Sequence, residues 1–159
     1  MGRVAVDTEF AFGGHCEQWV AKVVSIEETI EVRSADAPTW ETRAIDDTFC
    51  PGYTVRVPQW WAVLVLKNET IVRLDAGSEI TFTEVKEGRP SWIDLLKGMA
   101  HFLSRTPQRL TIATPCVNGT IEGTEFFIRI HEHESQFWVF EGRVLLANEL
   151  GTLSVLGSL

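Results

Sequence analysis

The feature that most constrains this chain is a rhythm of short β-branched and aromatic runs cut by turn residues. From Trp19 onward these breaks recur about every 8–12 residues, the spacing of an all-β fold built from short strands. Val20, Val24, Ile26, Ile30 and Val32 are separated by even numbers, so an extended chain would place them on one face. Ser34 to Pro38 breaks that run, and Cys50-Pro51-Gly52-Tyr53 turns into the alternating Thr54-Val55-Arg56-Val57. Ala62 to Leu66 is apolar at every position, which predicts a strand covered on both sides. Lys67-Asn68-Glu69 and Asp75-Ala76-Gly77 read as turns on either side of Thr70 to Leu74. Phe126, Ile128 and Ile130 alternate with Phe127 and Arg129; Gln136 to Phe140 and Arg143 to Leu146 follow, separated by a Glu141-Gly142 turn. Strand–acidic turn–strand shapes at 24–32 and 139–146 echo one another as hairpin units.

One stretch breaks the rhythm. Trp92, Leu95, Leu96, Met99 and Leu103 fall at helical spacing, and periodicity alone predicts a helix there. Gly98 in its middle costs a helix about 1 kcal/mol relative to alanine and offers the alternative of two short strands turning at the glycine.

The chain has 159 residues, enough to bury roughly 68–70% of its unfolded surface around a single core. Its 45% hydrophobic and 23% charged residues are those of a globular chain rather than a disordered one. A formal net charge of −8 argues against nucleic acid or an anionic membrane surface as the main partner. The longest apolar run, Trp60 to Leu66, is far short of the ~20 residues a spanning helix needs, and Asp7 and Glu9 interrupt any secretory signal in Met1 to His15. By pattern alone the chain reads as soluble, without direct membrane insertion and without an address. Cys16, Cys50 and Cys116 allow at most one bridge, show no Cys-x-x-Cys spacing, and are expected to be buried, unpaired thiols.

Candidate chemistry is sparse. His131 and His133 are the metal candidates, because i and i+2 on a strand project the same way and two imidazoles could hold two corners of a zinc or iron site. Phe137 and Trp138 stand where a cupin-type site would need its carboxylate, so a solvated turn is the expected role of this segment and no metal or cofactor is expected. Glu27-Glu28 and Asp46-Asp47 are adjacent carboxylates at turns, which lack the convergence an acid–base couple needs. There is no nucleophile elbow, phosphate-cradling loop or dinucleotide fingerprint, and the glycines of Asn118 to Gly123 suit close backbone approach better. No catalytic residue is assigned. Six tryptophans are numerous for this length, and most are expected in the core. Trp60 and Trp61 are the partner-binding candidates, since strand neighbours point to opposite faces and one indole would be left uncovered.

Several segments in order resemble the FecR domain family: Ile71 to Ile80, Asp94 to Phe102, Leu110 to Pro115, and the most specific portion, Gly123-Thr124-Glu125-Phe126 followed by Val139 to Val144. Trp40, Pro51-Gly52 and Val55-Arg56-Val57 resemble the family's lead-in. The first turn departs, with Glu27-Glu28-Thr29 where relatives carry glycine. On this resemblance residues 1–18 are an irregular lead-in and 19–156 a FecR-like β domain, with lead-in strands over 19–66 and the most specific part over 70–148. It implies a twisted two-layer arrangement, β-solenoid-like or a sandwich, in which Asp94 to Phe102 is strand–Gly98–strand. It also implies a non-catalytic, periplasmic signalling module acting in sigma-factor-dependent, iron-uptake-type regulation. The implied partner is an envelope protein such as the signalling domain of a TonB-dependent receptor. The alternative from the residues themselves is a carbohydrate-binding β module that stacks sugars on exposed tryptophans. The family's cytoplasmic sigma-controlling piece and membrane helix have no counterpart visible in these residues.

Overall fold

The computed structural model describes residues 16–83 and 91–157, and every regular element in them is a β-strand. They are β1 (Ala21–Ile26), β2 (Ile30–Arg33), β3 (Glu41–Arg43), β4 (Thr48–Phe49), β5 (Thr54–Arg56), β6 (Trp61–Leu66), β7 (Ile71–Asp75) and β8 (Glu79–Phe82). Longer strands follow: β9 (Ser91–Ala113), β10 (Asn118–His131), β11 (Glu134–Asn148) and β12 (Gly151–Gly157). The expected 1–18 lead-in lies mostly outside the described residues.

All strand pairs are antiparallel, and the register shows what the short strands are. β1 pairs with β6 and β2 with β5, so Ala21↔Leu66, Ile26↔Ala62, Glu31↔Arg56 and Arg33↔Thr54 form one continuous ladder. The same holds for β5–β6 against β7–β8 and for β7–β8 against β9. Each pair is therefore one long strand bent at a corner. The corners lie at 27–29, 44–47, 57–60 and 76–78, and at Gly98 inside β9, where the strand leaves β8 and takes up β7. A second row of bends crosses β9 to β11: Ser104 to Pro107 bulge opposite Thr124, and Gly123 faces Gly142. A Cβ on either of these two glycines would collide with the opposing backbone, so the close approach itself requires glycine.

Two rows of bends divide one curled antiparallel sheet into three panels that close on a shared core. Val55, Ile80 and Leu95 come from the first panel, Leu64, Leu74 and Phe102 from the middle, and Leu110, Ile112 and Ile121 from the third. Phe102 stacks on Phe126 with ring centroids 4.6 Å apart. Across the inner curve the Phe137 ring and the Leu146 side chain both close on Gly119. At the open ends, the Thr114 hydroxyl meets that of Ser135 at 2.7 Å. The all-β expectation holds, and the layers are panels of a single sheet.

Several expectations are corrected. Trp92 to Leu103 is strand on either side of Gly98, as the family resemblance implies, and only the helical reading of its periodicity is overturned: burial alternates through Ile93 and Leu95 and resumes at Ala100 and Phe102, because the Gly98 corner shifts the phase and imitates a helical period. Glu141-Gly142 is a bulge inside β11 rather than a turn, and Glu27 to Thr29 and Asp75 to Gly77 are corners, because the chain continues beside the same neighbour. Val24 points out, since a register shift between Val23 and Ser25 puts Val23 in the core instead. Cys16 and Cys50 are joined in a disulfide: the pairing of β4 with β1 brings Cα atoms 34 residues apart in sequence to 5.5 Å. Cys116 is free and exposed.

Candidate docking face

Ala62 to Leu66 was expected to be covered on both sides. Its inward residues Ala62, Leu64 and Leu66 are buried, but Val63 and Val65 are only half-buried on the outer side. That exception locates the candidate site, because the outer surface of the middle panel carries partly uncovered apolar side chains among its charged ones.

The register builds this face in rows. One runs Val63↔Arg73↔His101↔Phe127↔Trp138 across β6, β7, β9, β10 and β11. The next runs Lys22↔Val65↔Ile71↔Leu103↔Glu125. Ile71, Leu103 and Trp138 are exposed. Bulged out between β1 and β6, Val24 adds another apolar side chain at 43% exposure.

Aromatic and charged groups fix the middle of the face. His101 lies on Phe127 with centroids 4.2 Å apart, and its Nε2 pairs with Glu125 Oε2 at 2.9 Å. Phe140 meets Phe127 edge-on at 5.5 Å. Arg73 sits 5.3 Å from the Trp61 ring, and Arg129 sits 5.8 Å from that of Trp138 while its Nε donates to Gln136 Oε1 at 3.1 Å. Rings held by neighbours lose little rotamer freedom on binding, which suits a preorganised contact surface.

Trp60 and Trp61 do not form the opposed pair that a strand would give. Trp60 precedes β6 in a corner at φ +69°, with 57% of its surface exposed. Trp61 is half-buried under Arg73. The exposed indoles Trp60, Trp92 and Trp138 belong to separate segments rather than one strand row. Trp40 is occupied differently, lying 3.9 Å from the Arg56 guanidinium and 4.7 Å from that of Arg33.

His131 and His133 flank Glu132, whose φ is +55° in the β10–β11 hairpin turn, so the two imidazoles do not share a strand face. Among the described residues no group of three or more His, Cys, Asp or Glu is placed to hold a metal ion. His101, Glu125 and Leu103 are not site candidates in the sequence; that they meet on one face depends on which strands lie beside β9.

The described strands form one curled antiparallel sheet whose middle panel leaves apolar and aromatic side chains partly uncovered on its outer side. The FecR protein family matches over residues 54–145, β5 through most of β11, which is more than half of the chain. The chain belongs to that family. Among solved structures, a protein described as a candidate anti-sigma factor from Parabacteroides distasonis ATCC 8503 superposes with a TM-score of 0.57 at 16% identity. The match covers 65% of this chain and 51% of that one, so the chain spans about half that protein's length. No curated protein matches. No helix among the described residues is long and apolar enough to cross a membrane.

Proposed function

We propose that this chain is a non-catalytic signalling module of the bacterial envelope, a regulator in sigma-factor-dependent signalling. In this reading the outer face of the middle panel docks another envelope protein. The observation that carries it is the face itself: registered rows of apolar and aromatic side chains, partly uncovered, on the middle panel of a FecR-family domain. The anti-sigma description of the structural neighbour supports the process. The Cys16–Cys50 bridge supports an oxidising compartment such as the periplasm. The finer reading takes the partner to be the signalling domain of a TonB-dependent receptor in iron-uptake-type regulation.

The test is photo-crosslinking in the native envelope from a benzoyl-phenylalanine at Leu103. The expected product joins the chain to the signalling domain of such a receptor. A specific adduct with a different envelope protein would remove the receptor and retain the docking role, and recovery of no protein adduct would remove both.

A further inference from the structure

β11 is paired on one side along its length, but on the other only from Gly142 onward, where Gly142↔Gly157 closes the ladder with β12. Among the described residues, Glu134 to Glu141 has no strand on its second side. Gly157 lies against the Val139 carbonyl and bounds this gap. The open stretch is therefore Glu134 to Trp138, about 17 Å of strand. Because the Val139 carbonyl points to the open side, alternation turns the backbone N–H and C=O of Ser135 and Phe137 the same way.

Among the described residues β12 and the Gln108 to Ala113 part of β9 are also paired on one side only, whereas two edges are blunted. β4 has only two residues, and β3 has three and carries the Glu41–Arg43 ion pair at 3.2 Å. The β11 edge has no proline, lysine or inward charge to discourage pairing. It also borders the docking face directly, through Trp138 at 43% exposure.

Charge selects the occupant. Glu132 and Glu134 stand at the start of the open stretch and Glu141 just beyond it, on a chain of net charge −8. A second copy would bring like charge to like charge, whereas a basic strand would be attracted. We propose that Glu134 to Trp138 accepts an extended segment of the partner protein by strand addition, with apolar residues at its centre and Lys or Arg at its ends. This rests on the docking reading above and adds the place and the chemistry of the contact.

The test follows amide exchange in the full chain with the synthetic peptide Lys-Thr-Val-Thr-Val-Lys and its Glu-ended counterpart as probes. In the free chain the Ser135 and Phe137 amides should exchange readily. The Lys-ended peptide should slow them by about tenfold or more at saturation, the protection of a newly paired edge. Glu134→Lys, checked for folding by circular dichroism, should weaken that peptide by about threefold or more and strengthen the Glu-ended one. Equal protection by both peptides would overturn the basic occupant. Protection already present in the free monomer would show that the chain's own residues cover the edge. Protection that grows with protein concentration, alongside dimers in sedimentation, would assign it to a second copy; either result overturns the proposal. An envelope partner crosslinked at Leu103 that leaves the Phe137 amide unprotected would keep the docking reading and remove the edge. No envelope partner would remove the reading, whatever the peptides do.

Discussion

Ser78 packs its backbone and hydroxyl directly against Gly98, at the point where β9 passes from β8 to β7. The hydroxyl donates to the Met99 carbonyl at 2.9 Å and accepts the Met99 N–H at 3.0 Å, replacing ladder bonds that the corner interrupts. Gly98 has φ +87°, and a methyl group there would overlap Ser78. Gly98→Ala should destabilise the chain by about 2–4 kcal/mol, combining left-handed strain with steric displacement. Ser78→Ala should cost about 1–3 kcal/mol by leaving the half-buried Met99 N–H and carbonyl unpaired. Urea midpoints with unchanged m-values measure both; an unaltered midpoint for Gly98→Ala would show that the corner is not built this way.

The Cys16–Cys50 bridge closes a loop of sequence separation 34, for which the chain-entropy account gives about 3–4 kcal/mol. Reductant should lower the urea midpoint of the wild-type chain accordingly and leave the Cys16→Ala/Cys50→Ala double variant unmoved. Cys116→Ser should behave as wild type under both conditions, since Cys116 is free.

Trp60 holds a left-handed conformation that costs a non-glycine residue about 1–2 kcal/mol, while more than half of its surface is exposed. Trp60→Gly removes that strain but adds freedom to the unfolded chain, which opposes the gain by about 0.4–1 kcal/mol. The variant should be as stable as wild type or more so by up to about 1.6 kcal/mol. A thermal midpoint that falls by several degrees would instead show that the indole supports the fold.

Leu103 and Phe102 are neighbours on β9 with opposite duties. Phe102, fully buried against Phe126, should cost about 3–5 kcal/mol when changed to alanine. Leu103→Ser, on the outer face, should change stability by about 0.5 kcal/mol or less and reduce capture of the envelope partner by about tenfold. A Leu103→Ser chain that is intact but binds its partner normally would move the docking surface elsewhere.

Much of the fold was legible from alternation. The inward set Val55, Val57, Phe126 and Ile128 follows from period two alone, and the hairpin turn at Lys67 to Glu69 follows from its residues. What alternation could not separate was a corner from a hairpin. Asp75-Ala76-Gly77 and Glu141-Gly142 have the composition of reversals, yet both continue beside the same neighbouring strand. Turn residues mark where the backbone departs from extended geometry; the direction in which it leaves depends on partners far away in sequence. The candidate docking face had one local trace, the unbroken apolar run of β6, which was read as burial on both sides. The histidine pair erred for a related reason: i, i+2 geometry applies only inside a strand, and Glu132 at φ +55° ends it.

By itself the sequence determined that this chain is all-β, with a core of alternating apolar side chains and glycines where strands bend, and it carried the family resemblance. Those properties are local: they depend on side-chain size, branching and backbone freedom, and survive without knowledge of neighbours. Tertiary structure alone decided that paired short strands are single bent ones, that Cys16 meets Cys50, and that Trp138, Phe127, His101 and Arg73 share one row. Each is a question of register between segments up to dozens of residues apart, settled only when the strands close cooperatively on one core.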